Sequence, residues 1–176
     1  MIPNQVKLLQ KVVPPGINVT LKQLLLNSKK WSLSLDNRNH DRATSDNGFS
    51  ITPYEVYYEN NEDSPQWDKQ LFQYADFVCL RCLEELNITN FKVNRFYYNL
   101  YTQSSVGVMH QDQLGDNFLS IVYDMGSDGF TKINDTIYYD KECQAKVFKS
   151  NLFHCGTAPQ KDKFRFNLNI VLELFK

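Results

Sequence analysis

From residue 91 onward, apolar and polar positions alternate over short runs. "FKVNRFYYNLY", "VGVMHQ", "NFLSIVYDM", "GFTKI", "TIYY", "QAKVF" and "RFNLNIVLELF" are rich in β-branched and aromatic residues and are separated by Gly, Asn, Asp or Ser, which predicts short strands joined by turns. Before that point the period is helical. Leu71, Tyr74, Ala75, Val78, Cys82, Leu83 and Leu86 recur at helical spacing and predict an amphipathic helix over roughly residues 66 to 86. A shorter helix is predicted around "TLKQLLLNSKKW", with Thr20 as N-cap before Leu21, Leu24 and Leu25. Between the two helices "SLDNRNHDRATSDNGFS" is polar and long; a lid and a plain surface excursion both fit such a loop, and His40 stands in it without a partner pattern. Helices first and strands afterwards predict an α+β, mainly β fold, a sheet sandwich with helices on one side.

The last strand carries the most information. One face of "FRFNLNIVLEL" presents Phe164, Phe166, Leu168, Ile170, Leu172 and Leu174, and the other presents Arg165, Asn167, Asn169, Val171 and Glu173. The second set fits a solvent-facing surface. A run of polar positions that begins with a cation also fits a sheet face lining a hydrated pocket for an anion.

Composition narrows the class of protein. The chain has 176 residues, 42% of them hydrophobic, which fits one globular domain over residues 1–176. Lys and Arg number 19 against 20 Asp and Glu, so no global field draws the chain to nucleic acid or anionic lipid. "MIPNQVKLLQKVVPPG" lacks an apolar core with a cleavage site, and no apolar run is long enough to span a bilayer. A soluble cytoplasmic protein is expected, in the host cytoplasm if the source is viral; the Asn- and Tyr-rich composition suits a viral or bacterial genome. Cys79 and Cys82 form a C-x-x-C inside the long predicted helix, and Cys143 and Cys155 lie far off, so ordinary reduced thiols are expected in place of a zinc site.

Chemistry concentrates in few residues. The chain has three histidines. His110 and Asp112, in "VGVMHQDQ", are one residue apart, and on an extended strand both would project from the same side. By itself such a pair is most simply a turn cap followed by a polar loop. His154 precedes Arg165 by eleven positions across a Gly-Thr-Ala-Pro turn, which can set a ligand histidine at the start of one strand and a basic residue on the next. Two histidines and a carboxylate can supply three facial ligands to a ferrous ion and leave three positions open. An arginine fork matches a carboxylate bidentately.

In this order, "NLYTQSSVGVMHQD", then His154, then Arg165, the chain resembles the Fe(II)- and 2-oxoglutarate-dependent dioxygenases, particularly the prolyl 4-hydroxylase-like group with its bacterial and phage members. The resemblance covers roughly residues 91 to 175 and implies a double-stranded β-helix, a jelly roll of cupin-like type, with the first 90 residues as supporting helices and substrate loops. It implies that His110, Asp112 and His154 bind iron, that Arg165 holds the distal carboxylate of 2-oxoglutarate, and that Tyr101 hydrogen-bonds this cosubstrate. O₂ would be the third component, and the outcome hydroxylation of an unactivated C–H with release of succinate and CO₂. A prolyl or other peptide substrate is the family-weighted expectation, with small molecules open; the loop from Asp36 to Gly48 is expected to border the entrance.

The chain departs from the family on a middle strand, where a Gly-Gly-Glu-Thr-like segment is reduced in "SDGFTKI" to Gly129 and Thr131. "NLY" and "RFNLN" are also similar to the nucleic-acid demethylases of the same superfamily, which makes Asn99 and Asn167 secondary pocket candidates. Val171 stands where that pattern has its second arginine, so the demethylase reading ranks lower and nucleic acid is not the expected partner. A non-catalytic or cupin-like binding module on the same fold is the remaining alternative.

Overall fold

A computed structural model of the chain describes residues 5–34, 48–55 and 68–175. Its elements are β1 (Lys7–Leu9), α1 (Pro15–Asn27), β2 (Ser32–Ser34), β3 (Gly48–Glu55), α2 (Lys69–Leu86), β4 (Phe91–Thr102), β5 (Phe118–Asp124), β6 (Phe130–Ile133), β7 (Thr136–Tyr139), β8 (Gln144–Lys149), β9 (His154–Gly156) and β10 (Phe164–Leu174). A seven-stranded sheet has the order β1-β8-β5-β10-β4-β3-β2, and a three-stranded sheet the order β7-β6-β9. All their pairings are antiparallel. This is the mainly β jelly roll expected from the alternating second half.

Alternation divides the large sheet into two chemically distinct faces. Phe166, Leu168, Ile170 and Leu172 of β10, Phe96 and Tyr98 of β4, Leu119, Ile121 and Tyr123 of β5 and Ala145 and Val147 of β8 join one core with α1 and α2. Each fully buried Leu, Ile, Val or Phe among them contributes on the order of 1.5–3 kcal/mol. α2 buries Leu71, Ala75, Val78, Cys79, Cys82 and Leu83 on this face, and the Tyr98 hydroxyl donates to the Leu71 carbonyl at 2.7 Å. The helix starts at Asp68, whose carboxylate accepts from the Gln70 and Leu71 amides, and stops at Asn87 in the left-handed conformation. All four cysteines are buried; Cys79, Cys82 and Cys143 belong to the apolar core, and burial pushes the Cys82 thiol up to about 12, as for an inert core thiol.

The first 90 residues do more than supply helices. β1 pairs with β8, and β3 pairs with β4 while also carrying β2. These strands escape a periodicity reading for physical reasons: β1 and β2 span three residues each, and Pro53 interrupts β3 where its register to β4 shifts between Ile51 and Tyr54. The short helix also begins earlier than expected. α1 opens at Pro15, whose missing N–H costs nothing in the first turn, and Thr20 lies inside it, donating to the Gly16 carbonyl instead of capping. The loop from Asp36 to Gly48, with His40, lies outside the described residues except for its last member, which begins β3.

Candidate metal and acid site

The second face of the large sheet is polar and buried. Across β10 and β4 the register sets Arg165 opposite Tyr101, Asn167 opposite Asn99, Asn169 opposite Tyr97 and Val171 opposite Arg95. Asn167 also faces Asp124 on β5, and Asp124 faces Gln144 on β8. Arg165, Asn167 and Asn169 are all buried, so the polar half of the last strand lines the interior between the sheets and not the solvent. Val122 and Phe148 from this face pack with Ile133 of the small sheet as a second, minor apolar cluster.

His110, Asp112 and His154 meet at one end of that interior. Their candidate ligand atoms all lie within 4.8 Å of one another; His110 Nε2 is 3.9 Å and His154 Nε2 3.5 Å from the Asp112 carboxylate. "VGVMHQ" is not a strand: a single bridge pairs His110 with His154, through reciprocal amide–carbonyl bonds of 2.9 and 2.8 Å, and the Asp112 amide donates to Ser150 at 3.0 Å. Pairing to the β9 segment, and not strand alternation alone, therefore sets the side chains together.

Each ring is oriented for ligation. Nδ1 of His110 lies 2.8 Å from the Val108 carbonyl, and Nδ1 of His154 3.1 Å from the Leu152 carbonyl. A carbonyl can only accept, so Nδ1 carries the hydrogen and Nε2 presents its lone pair inward. His154 Nε2 is buried without a hydrogen-bond partner, and burial lowers the His154 pKa against the opposing pull of Asp112. A neutral, unpartnered imidazole nitrogen beside a carboxylate is the donor set a divalent cation requires. The His110 side chain remains 19% exposed, which opens the cluster on that side.

Asp112 is held by its surroundings. The Ser120 hydroxyl donates to Oδ2 at 2.6 Å, the Tyr97 hydroxyl to Oδ1 at 3.2 Å and Arg95 to Oδ1 at 3.4 Å. Burial opposes its ionisation, but the adjoining His154, His110 and Arg95 and the Ser120 bond outweigh burial and hold the carboxyl at about 2. Arg95, Tyr97 and Ser120 are absent from the sequence-derived set. Arg95 and Tyr97 continue the alternation that includes Asn99 and Tyr101, a period-two signal readable in "NRFYYNLY".

Farther along the same interior, Arg165 and Tyr101 converge over Gly156, two residues past His154 on β9. A Cβ at Gly156 would lie 2.7 Å from both Arg165 Nη1 and the Tyr101 hydroxyl, and one at Gly129 would lie 2.5 Å from Arg165 Cδ. Gly129 and Thr131 both serve the arginine: Gly129 gives its stem room, and the Thr131 hydroxyl accepts from Nη2 at 3.0 Å. Gly156→Ala should therefore weaken carboxylate binding at Arg165 while metal affinity stays at the wild-type level, which separate titrations of metal and of acid would check. Asn99, which donates to the Tyr101 hydroxyl at 3.4 Å, and Asn167 sit one row further in.

The arginine already holds a carboxylate. Asp140, just past β7, takes Nε at 2.5 Å and Nη2 at 3.0 Å. It also accepts from Lys146 of β8 at 3.0 Å, and Lys146 in turn pairs with Asp124. Although buried, Asp140 is held at about 2, chiefly by Arg165 and then by Lys146. Asp112 and Asp140 thus both ionise in the fold well below the ordinary aspartate value of 3.8. Such a group stabilises the fold above its unfolded pKa and loses that contribution as pH falls through its folded pKa. The metal-free protein should lose stability as pH falls from roughly 4 to 2, seen as a falling urea midpoint across that window.

Comparisons with known proteins match this geometry at the level of the fold. No family model and no curated protein matches the sequence. Among solved structures, a viral collagen prolyl hydroxylase from Paramecium bursaria Chlorella virus-1, in complex with 2-oxoglutarate, superposes with a TM-score of 0.66 at 12% identity, covering 97% of this chain and 96% of that one. A Pseudomonas putida prolyl-4-hydroxylase gives 0.60 at 12% identity, with 97% and 93% covered. HygX from Streptomyces hygroscopicus, with nickel and 2-oxoglutarate bound, gives 0.60 at 9% identity, with 96% and 82% covered. The chain is thus built on the jelly-roll fold of the 2-oxoglutarate- and Fe(II)-dependent oxygenases, the prolyl hydroxylases among them.

Proposed function

We propose that the chain is an Fe(II)- and 2-oxoglutarate-dependent oxygenase that hydroxylates an unactivated C–H of a peptide or small-molecule substrate, with a prolyl peptide the first to test. The observation that carries this reading is the buried, unpartnered His154 Nε2 beside Asp112 and His110. In this reading His110, Asp112 and His154 hold the iron, and Ser120, Tyr97 and Arg95 hydrogen-bond Asp112 and orient it. Arg165 Nη1 and the Tyr101 hydroxyl receive the distal carboxylate of 2-oxoglutarate over Gly156. The bound metal and cosubstrate would supply O₂ activation coupled to decarboxylation, yielding succinate and CO₂.

This chain's residues bind, orient and exclude water. His154 and Gly156 share a face of β9 one two-residue repeat apart, roughly 7 Å, a span suited to a five-carbon diacid reaching from metal to arginine. Val106, Leu114 and Phe153 are exposed apolar side chains close in sequence to the ligand residues and fit a substrate with an apolar face. Among the described residues no helix is long and apolar enough to cross a membrane. Succinate release by the Fe(II)-loaded protein, with and without prolyl peptides, tests the reading; no succinate under any condition, together with intact metal binding, would return the chain to the binding-module alternative.

A further inference from the structure

Four charged side chains are buried together beside the acid site. Lys146, Asp124, Asp140 and Arg165 each have side-chain exposure of 0 or 1%. They come from β8, β5, the residue after β7 and β10, and form one chain of contacts: Asp124 to Lys146, Lys146 to Asp140, Asp140 to Arg165. With both carboxylates ionised the cluster is neutral. No other described charge or titratable side chain is among its hydrogen-bonded or ion-paired partners; Tyr101 of β4, whose ring lies 5.1 Å from the guanidinium carbon, borders it, and the sheet register sets the neutral amides of Asn167 and Gln144 opposite Asp124.

That neutrality bears on the proposed cosubstrate. A guanidinium has five N–H donors. In Arg165, Nε and one N–H of Nη2 go to Asp140, the other of Nη2 goes to Thr131, and one of Nη1 goes to the Thr157 carbonyl. One N–H of Nη1, on the side of Gly156 and Tyr101, is left for a ligand. A carboxylate arriving there would be a third anion against two cations among buried side chains, and such an imbalance is relieved by protonation. The cluster contains a place for the proton: Asp124 Oδ1 is buried with no hydrogen-bond partner.

We infer that Asp140 pre-neutralises the acid clamp, so that a carboxylate binds at Arg165 together with one proton, which Asp124 takes up. The inference rests on the proposed role of Arg165 and adds Asp140 and Asp124 as the residues that set acid affinity and its pH dependence. The protonation is close at hand, because burial, then the Asp140 charge, push the Asp124 carboxyl up to about 7 against the pull of Lys146 and Arg165. Above that range the proton must be taken from water of falling acidity, and acid affinity declines with rising pH.

The test is calorimetric titration of 2-oxoglutarate into the Zn(II)-loaded protein, in two buffers of different protonation enthalpy, so that no turnover is needed. The wild type should take up about one proton per acid bound at pH 8, with affinity falling toward tenfold per pH unit above neutrality. Asp140→Asn leaves two cations against Asp124 alone. It should bind 2-oxoglutarate at least about tenfold more tightly, the low end of what one close charge pair contributes in a desolvated site, and take up no proton. Asp124→Asn should likewise abolish proton uptake. Wild-type binding with no proton exchanged overturns the inference and leaves the oxygenase reading standing, and this arm needs no variant to fold. A folded Asp140→Asn protein that binds more weakly also overturns it, since Asp140 would then only hold Arg165 in place. If Arg165→Ala binds the acid as the wild type does, the role of Arg165 fails and the inference fails with it.

Discussion

Replacing Arg165 with alanine should weaken 2-oxoglutarate binding by roughly two to four orders of magnitude, the consequence of removing one partner of a buried charge pair worth about 3–5 kcal/mol when broken. The same change should lower the stability of the acid-free protein. Of its two cations Asp140 would keep only Lys146, which it shares with Asp124, leaving two buried carboxylates against one cation. The two effects separate on measurement. Titrating 2-oxoglutarate into the anaerobic Fe(II) protein and following the metal-to-ligand charge-transfer band reads acid binding, while urea unfolding without acid reads the cluster. Iron affinity should survive, because the Asp112 carboxylate is held by Ser120, Tyr97 and Arg95 and not by Arg165. Lysine at 165 restores the charge without the fork and should recover part of both losses. Wild-type acid affinity in a folded Arg165→Ala protein would assign the acid to another residue.

Loss of His154 should be the most damaging change at the other end of the site. Residues that merely orient a metal ligand typically cost 10- to 100-fold in affinity, so removing a ligand itself should cost at least about 100-fold. His154→Ala should therefore fail to hold Fe(II) or Zn(II) against a competing chelator, and added metal should no longer raise its melting temperature, as it does whenever a ligand binds only the folded state. The imidazole also packs against the Phe148 ring at 4.8 Å and the His110 ring at 4.4 Å, so a modest drop in metal-free stability is expected as well. Undiminished metal binding by the alanine variant would remove His154 from the centre and with it the three-ligand reading.

Much of this arrangement is local and can be read along the chain. Two-residue alternation in "FRFNLNIVLEL" assigns Leu168 and Ile170 to one face and Arg165 and Asn167 to the other, because a strand turns successive side chains to opposite sides whatever lies around it. The helical period of Leu71, Ala75, Val78 and Cys82 likewise marks the buried face of α2 before any partner is known. The order His110, Asp112, His154, Arg165 carried the resemblance because each lies near the end of a readable element or beside a turn.

Only tertiary structure decided what those faces meet. The polar face of β10 has the same periodicity whether it looks into water or into a second sheet; Arg165 is buried and reaches the small sheet through the Thr131 hydroxyl of β6. His110 and Asp112 take their places from backbone bonds to His154 and Ser150, residues about forty positions away in sequence. β3 joined the large sheet despite Pro53, since pairing with β4 outweighed a local break. Lys146, Asp124 and Asp140 look in the sequence like ordinary surface charges on short strands. They form a buried neutral cluster with Arg165 only because three strands and one turn bring them together, and charge compensation between distant segments leaves no trace in local periodicity.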